Sequence, residues 1–135
     1  MAIEYAGLMV GQTVSSRVFR LGVETLAAYE EAVDHGLMPW RRGDAQFVPP
    51  MAIVAMALQG FIDDIGIPEG TVHVGQEFEI IGPVRVGQTM RSEAVVLQNS
   101  VRGEIRLIAV AFTVTDDNGM LLMNAKSTLL LPAKV

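Results

Sequence analysis

Pro49-Pro50-Met51-Ala52-Ile53-Val54-Ala55-Met56-Ala57-Leu58-Gln59-Gly60-Phe61-Ile62-Asp63-Asp64-Ile65-Gly66 is the stretch around which the rest of the chain must be arranged. Two prolines open it, and proline is tolerated in a first helical turn, where the backbone N–H has no partner in any case. Met51 to Leu58 is an unbroken apolar run, so the first two turns carry no polar stripe. A helix that is apolar all round is buried on most sides. Asp63 and Asp64 return the chain to water, Gly66 suits a left-handed C-terminal cap, and Pro68 blocks continuation. A membrane span needs roughly 18 or more apolar residues, so this is expected to be a core helix and no membrane partner is expected. Something has to wrap it.

The wrapping material follows. After Gly70 the hydrophobic period changes to two: in Thr71–Ile81, Val72, Val74, Gln76, Phe78 and Ile80 alternate with Thr71, His73, Gly75, Glu77 and Glu79. Three more β-rich runs come next, Thr89–Gln98, Glu104–Thr115 and Met120–Leu131. The separators are turn-like: Gly82-Pro83 to Gly87, Asn99-Ser100-Val101-Arg102-Gly103 and Asp116-Asp117-Asn118-Gly119. Ile105–Val114 is apolar on both faces except at Arg106 and Thr113, as expected of a central strand covered on both sides. Such short linkers make antiparallel neighbours.

Upstream of the helix, Met1–Gly11 is mixed and gives little beyond a poorly ordered or edge segment, while Thr13–Arg20 alternates as one short strand. Val23–His35 has the spacing of an amphipathic helix, with Leu26, Tyr29 and Val33 on one face, Glu24 in the first turn and Gly36 as the stop. Gly36–Val48 is then one long irregular loop, of the kind that is often functional in a compact domain.

The composition narrows the function classes. At 135 residues the chain is expected to form one domain, 1–135, and half of it is hydrophobic with only 19% charged. That apolar content favours a face covered by a partner subunit. The net charge is −5 and the ten Lys and Arg residues are scattered, which argues against nucleic acid. Without cysteine there is no disulfide, thiolate metal site or Cys nucleophile, and two histidines, His35 and His73, make no multi-histidine metal site. Neither a metal nor a cofactor is implied. No signal-peptide pattern opens the chain, so a cytoplasmic protein is expected.

Strand, helix, loop, buried helix and four long antiparallel strands describe an α+β chain in which one sheet curls around one helix. That is the hotdog architecture, although an open α+β sandwich fits the same order of elements. Three segments carry a more specific likeness. Leu26–Val33 feeds an irregular loop; Phe47-Val48-Pro49-Pro50-Met51 leads into the helix; and Val74 to Thr89 forms a strand, a turn and a strand through Gly82-Pro83 and Gly87-Gln88. Together with Asp117-Asn118-Gly119 and Ser127-Thr128-Leu129-Leu130-Leu131-Pro132, they make the chain, from about Val14 to Pro132, resemble the MaoC-like branch of the hotdog superfamily. Those are (R)-specific enoyl-CoA hydratases and 3-hydroxyacyl dehydratases. Gln88 stands where that family usually has Asp.

The resemblance implies a water-adding or water-removing reaction on an acyl-CoA or related thioester. An Asp and a His, in a loop of the form Gly-Asp-x-Asn-Pro-x-His, hold and deprotonate one water. Backbone N–H groups at the start of the buried helix, here around Pro50, Met51 and Ala52, polarise the thioester carbonyl. This chain departs from that loop. Matching Pro39 to the motif's proline puts Gly36 at the Asp, Met38 at the Asn and Arg41 at the His.

The candidate acid/base residues are therefore Asp34 and His35, the only adjacent carboxylate–imidazole pair, and Asp44 beyond the Arg41-Arg42-Gly43 turn. Each has a plainer explanation. Adjacent helical side chains diverge by about 100°, a histidine near a helix C-terminus suits the macrodipole, and a loop carboxylate is simply solvated. Trp40, Arg41 and Arg42 form a cationic-aromatic cluster suited to the phosphates and adenine of a coenzyme A ester, or else to a subunit interface. Met51, Met56, Met120 and Met123 read as core filling, and Glu77 and Glu79 as solvated edge positions.

Three functions follow: a hydratase or dehydratase; a non-catalytic hotdog subunit that pairs with a catalytic relative or binds an acyl-CoA; and, ranked last, a hotdog thioesterase. The last needs a carboxylate on the helix, and residues 51–62 contain none. A homodimer, or a heterodimer with another hotdog chain, is expected.

Overall fold

The computed structural model describes residues 4–22, 24, 41–42 and 45–134. Its elements are a 3-10 turn at Tyr5–Gly7, strands β1 (Thr13–Arg20), β2 (Arg41–Arg42) and β3 (Ala45–Gln46), helix α1 (Pro50–Ile65), and strands β4 (Val72–Ile80), β5 (Thr89–Arg102), β6 (Ile105–Asp116) and β7 (Leu121–Pro132). The helix expected over Val23–His35 lies outside the described residues. Of the expected loop Gly36–Val48, 41–42 and 45–46 instead form a two-stranded ribbon, Arg41 opposite Gln46 and Arg42 opposite Ala45.

α1 starts and stops where the prolines and glycine dictate. Pro49 precedes it at φ −57°, ψ 132°, Pro50 takes the first helical position, and the Ala52 N–H turns back to the Pro49 carbonyl at 2.9 Å. Gly66 ends it at φ 63°, where a side chain would be strained, and donates its N–H to the Ile62 carbonyl at 3.0 Å. Ala52, Ile53, Ala57, Gly60, Phe61 and Ile65 are buried in one stripe. The helix is nevertheless not enclosed on most sides, as its composition suggests. Met51 is 48% exposed and Met56 36%, and among the described residues the main contacts of α1 run to β1 and β5. Met120 is also exposed, so of the four methionines read as core filling only Met123 is buried.

Five strands form one antiparallel sheet in the order β1-β5-β6-β7-β4. All four strand pairs contain a register shift, at Thr13/Ser15, Val96/Gln98, His73/Gly75 and Val114/Thr115. Bulges of this kind bend a strand and add twist, which is how one sheet curves around one helix. The concave face carries Ala94, Phe112 and Ala125 in one row and Val96, Val110 and Ser127 in the next, all buried. β6 is central, and its two faces are covered unequally: Ile108, Val110, Phe112 and Val114 are buried on one, while on the other Ala109 is buried, Leu107 and Ala111 are half-buried and Thr113 is exposed.

Two segments differ from the sequence reading for identifiable reasons. Asn99 and Ser100 look like a turn, yet β5 runs through them to Arg102 and turns at Gly103-Glu104. The polar Asn99 is needed inside: its amide donates to the Tyr5 and Leu8 carbonyls at 2.8 and 2.9 Å, and its oxygen accepts from buried Arg106 at 2.8 Å. For the same reason the N-terminal segment is no loose edge. Tyr5 and Leu8 are buried, and the Tyr5 hydroxyl donates to the Gly66 carbonyl at the end of α1. Elsewhere Arg17 lies across Gly60, where a Cβ would come within 3.1 Å of its Cδ, and so reaches Asp64 one turn further along α1. No helix among the described residues is long and apolar enough to cross a membrane.

Candidate functional site

The ribbon β2–β3 delivers the chain to the start of α1. Phe47 bridges to Arg85, and the Val48 N–H donates to the Val84 carbonyl at 2.8 Å, so the approach to the helix is pinned against the β4–β5 connection. That connection is held from its other side: the amides of Ile81 and Gly82 both donate to the Leu122 carbonyl, at 2.9 and 3.2 Å. Between the two segments lies a cleft of about 340 Å³ lined by Phe47, Val48, Pro50, Ile80, Ile81, Gly82, Pro83 and Val84. Val48 and Val84 are buried at its base, while Ile81 stands 48% exposed.

Pro50, the first residue of α1, belongs to the cleft wall, so the positive end of the helix dipole is there. Proline chemistry leaves few donors at that end. Pro49 and Pro50 have none, the Ala52 amide is taken by the Pro49 carbonyl, and among the described residues the Met51 amide has no partner. No acidic side chain occupies the first turn to neutralise it. An amide and a helix terminus of this kind favour an oxygen that is negative or becomes so.

None of the lining residues is titratable. The described groups with shifted pKa lie at or near the opposite end of α1. There Asp64 is held below the usual carboxylate range, first by the hydrogen bonds from Arg17 and then by the Ser15 hydroxyl. The same pairing raises Arg17, and burial raises Tyr5. The cleft end can therefore bind and polarise, but its described side chains cannot move a proton.

Of the residues singled out by sequence, Pro50 lines the cleft and Met51 is exposed beside it, while Ala52 is buried in the core. The backbone of Arg41 and Arg42 forms β2, five residues ahead of the bridging Phe47 when counted from Arg42. Asp34, His35, Trp40 and Asp44 lie outside the described residues. Ile80 to Val84 make five of the eight lining residues, and sequence reasoning read Gly82-Pro83 as a turn without assigning it to a site. The available signal was the unusual run of apolar residues on both sides of that turn, Ile80-Ile81 and Val84.

No protein-family model matches the chain, and no curated protein matches it by sequence. Solved structures do. The (R)-hydratase from A. caviae involved in PHA biosynthesis superposes with a TM-score of 0.76 at 19% identity, over 93% of this chain and 98% of that one. The C-terminally truncated HadBC (3R-hydroxyacyl-ACP dehydratase) complex from Mycobacterium tuberculosis gives 0.74 at 21% identity, over 90% and 96%. A hot-dog-like protein from Thermanaerovibrio acidaminovorans gives 0.63 at 16% identity, over 94% and 86%. The fold is the hotdog fold.

Proposed function

We infer that this chain is a MaoC-like hotdog protein of the hydratase/dehydratase type that binds an acyl-CoA or a related thioester. The observation that carries the reading is the apolar cleft whose wall includes the N-terminus of α1, with the Met51 amide unpaired among the described residues. The likeness in fold to an (R)-hydratase and to a 3R-hydroxyacyl-ACP dehydratase supports it. In this reading the thioester carbonyl accepts from the start of α1 and the acyl chain occupies the cleft. Trp40, Arg41 and Arg42 meet the phosphates and adenine of coenzyme A. Polarising the carbonyl draws electron density from C3 of an enoyl thioester. Water adds its oxygen at C3, and a proton is delivered to C2; dehydration is the reverse. Asp34 with His35, or Asp44, are the residues of this chain that we assign to moving those protons. Coenzyme A esters are intracellular metabolites, and we place the protein in the cytoplasm.

Two observations favour a second reading. The loop lacks the Asp and His of the hydratase motif, with Gly36 and Arg41 at their places, and no titratable residue lines the cleft. On that reading the chain is a non-catalytic hotdog subunit that binds the acyl thioester or shapes its site while a paired hotdog chain supplies the acid and base. The likeness to a HadBC complex supports pairing in general. Hydration of crotonyl-CoA and longer enoyl-CoAs by the pure chain, followed as loss of absorbance of the conjugated thioester, separates the two. Turnover that collapses in His35→Ala or Asp34→Asn identifies an enzyme with a relocated acid/base pair. Absence of turnover in a folded chain that still binds acyl-CoA identifies the subunit.

A further inference from the structure

The convex face of the sheet divides into a polar half and an aliphatic half. Towards the cleft it carries Glu79, Asn124 and Thr113 in one row and Glu77, Lys126 and Ala111 in the next. At the far end one row runs Ser100, Leu107, Leu130 and Val72 across β5, β6, β7 and β4, and Arg102, Ile105 and Pro132 lie beyond it. Ile105 is 51% exposed there, and Leu107 and Leu130 are half-buried.

β5 carries a register shift at Val96/Gln98, and such a bulge bends the strand that follows it. Its last residues border the aliphatic floor and enclose a cavity of about 510 Å³, with Gln98, Ser100 and Arg102 from β5 and Ile105, Leu107 and Leu130 from β6 and β7. Small-molecule pockets run from about 300 to 1,000 Å³ and combine apolar walls with a few polar groups. β4 reaches from Ile80 at the cleft to Val72 beside Leu130, so the two sites stand about 25 Å apart.

The lining chemistry selects the occupant. Arg102 is the one titratable residue of the wall, and the ion pairs among the described residues all belong to Arg17, so no carboxylate there neutralises it. In a chain of net charge −5 this is a local cationic spot. Ser100 is two residues earlier on the same face. Its oxygen accepts from the Gln98 amide at 3.3 Å, which leaves the O–H able to donate. A guanidinium and a hydroxyl on one rim match the two oxygens of a carboxylate. Ile105, Leu107 and Leu130 offer no polar side-chain atom and suit an alkyl tail laid across strands about 4.8 Å apart. A neutral lipid leaves Arg102 unanswered, and a coenzyme A ester has its acyl carboxyl tied up in the thioester.

We propose that this cavity is a second ligand site, which takes the free carboxylate of a medium-chain fatty acid. The head sits on Arg102 and Ser100, and the tail lies over Leu107 and Leu130. The site goes beyond the thioester reading and does not depend on it.

The probe is octanoate, titrated into the full chain carrying Ile81→Trp, which obstructs the cleft, and followed by amide chemical shifts. Saturable shifts are expected over residues 98–107 and at Leu130. Arg102→Ala is expected to weaken binding about tenfold or more, and Arg102→Lys less, because lysine keeps the charge but loses the fork. Octanol, the same tail without the charge, should bind about tenfold more weakly than octanoate. Arg102 is exposed, so an unchanged thermal midpoint is expected in both variants. Equal affinity in Arg102→Ala, shifts confined to residues 47–51 and 80–84, or no saturable shift each overturns the proposal. Acyl-CoA binding by the wild-type chain is measured separately, so loss of the octanoate site leaves the thioester reading standing.

Discussion

Phe61 of α1 stands edge-on to Phe112 of β6, with ring centroids 5.1 Å apart and planes at 90°. This is the contact at which the helix meets the middle of the sheet, and both rings are buried. Edge-to-face pairs contribute beyond their buried area. Phe61→Ala is expected to cost about 3–5 kcal/mol through lost contact and the cavity left behind, and Phe61→Leu clearly less. Urea denaturation with an unchanged m-value would check that the loss is in native packing and not in the unfolded ensemble.

The far end of α1 is held by the N-terminal segment. The Tyr5 hydroxyl donates to the Gly66 carbonyl at 2.7 Å, and Asn99 holds the Tyr5 and Leu8 carbonyls from below while accepting from Arg106. Tyr5→Phe removes one donor and is expected to cost about 0.5–1.5 kcal/mol. Asn99→Leu strands two carbonyls and a buried guanidinium whose Nε already lacks a partner, and is expected to cost about 1–3 kcal/mol. The two changes act on one network, so a double variant should lose less than the sum of the singles. Amide exchange at the C-terminal turn of α1 should quicken in both.

Acid is expected to loosen the attachment of β1 to α1. Arg17 donates to Asp64 at 2.6 Å and the Ser15 hydroxyl donates to the same carboxylate, so the folded protein holds Asp64 below its ordinary value of 3.8. A carboxyl whose pKa is depressed by folding contributes stability that is fully present above the unfolded value and is lost as pH falls through the folded one. Stability measured from neutral pH downward should therefore decline below about pH 4 in the wild type, and less steeply in Asp64→Asn. High salt should shrink the difference, because Arg17 is exposed.

How far these features were legible depends on what kind of signal each leaves. Pro49-Pro50 and Gly66 set the limits of α1 because ring closure and a positive φ act locally, and Asp116 to Gly119 made a hairpin because the Asp116 carboxylate accepts the amides of Asn118 and Met120. Asn99 misled because its composition signals a turn, while its function is to satisfy backbone more than 90 residues away in sequence. Met51 and Met56 misled because apolarity marks a preference for cover, while the described residues leave both exposed. The cleft was half visible. Its helix side, Pro50, follows from the prolines, but Ile80 to Val84 reach it only through pairing of β4 with β7 and the hydrogen bonds to Leu122. The acid/base candidates Asp34, His35 and Asp44 rest on the sequence reading.

The cleft itself can be closed without touching the core. Ile81 is 48% exposed on its wall, between a β4 that ends at Ile80 and the Gly82-Pro83 turn, so a larger side chain there has solvent to extend into and forces no repacking at Val48 or Val84. Ile81→Trp is expected to leave the thermal midpoint within about 2 °C of wild type, since surface changes away from packed features usually lie within about 0.5 kcal/mol. It should weaken binding of a long-chain acyl-CoA at least tenfold, measured by calorimetry, while binding of coenzyme A itself changes little. Equal loss for both ligands would mean that the acyl chain does not enter between Phe47 and Ile81. Undiminished acyl-CoA affinity would place the thioester elsewhere on the protein and remove the start of α1 from the site.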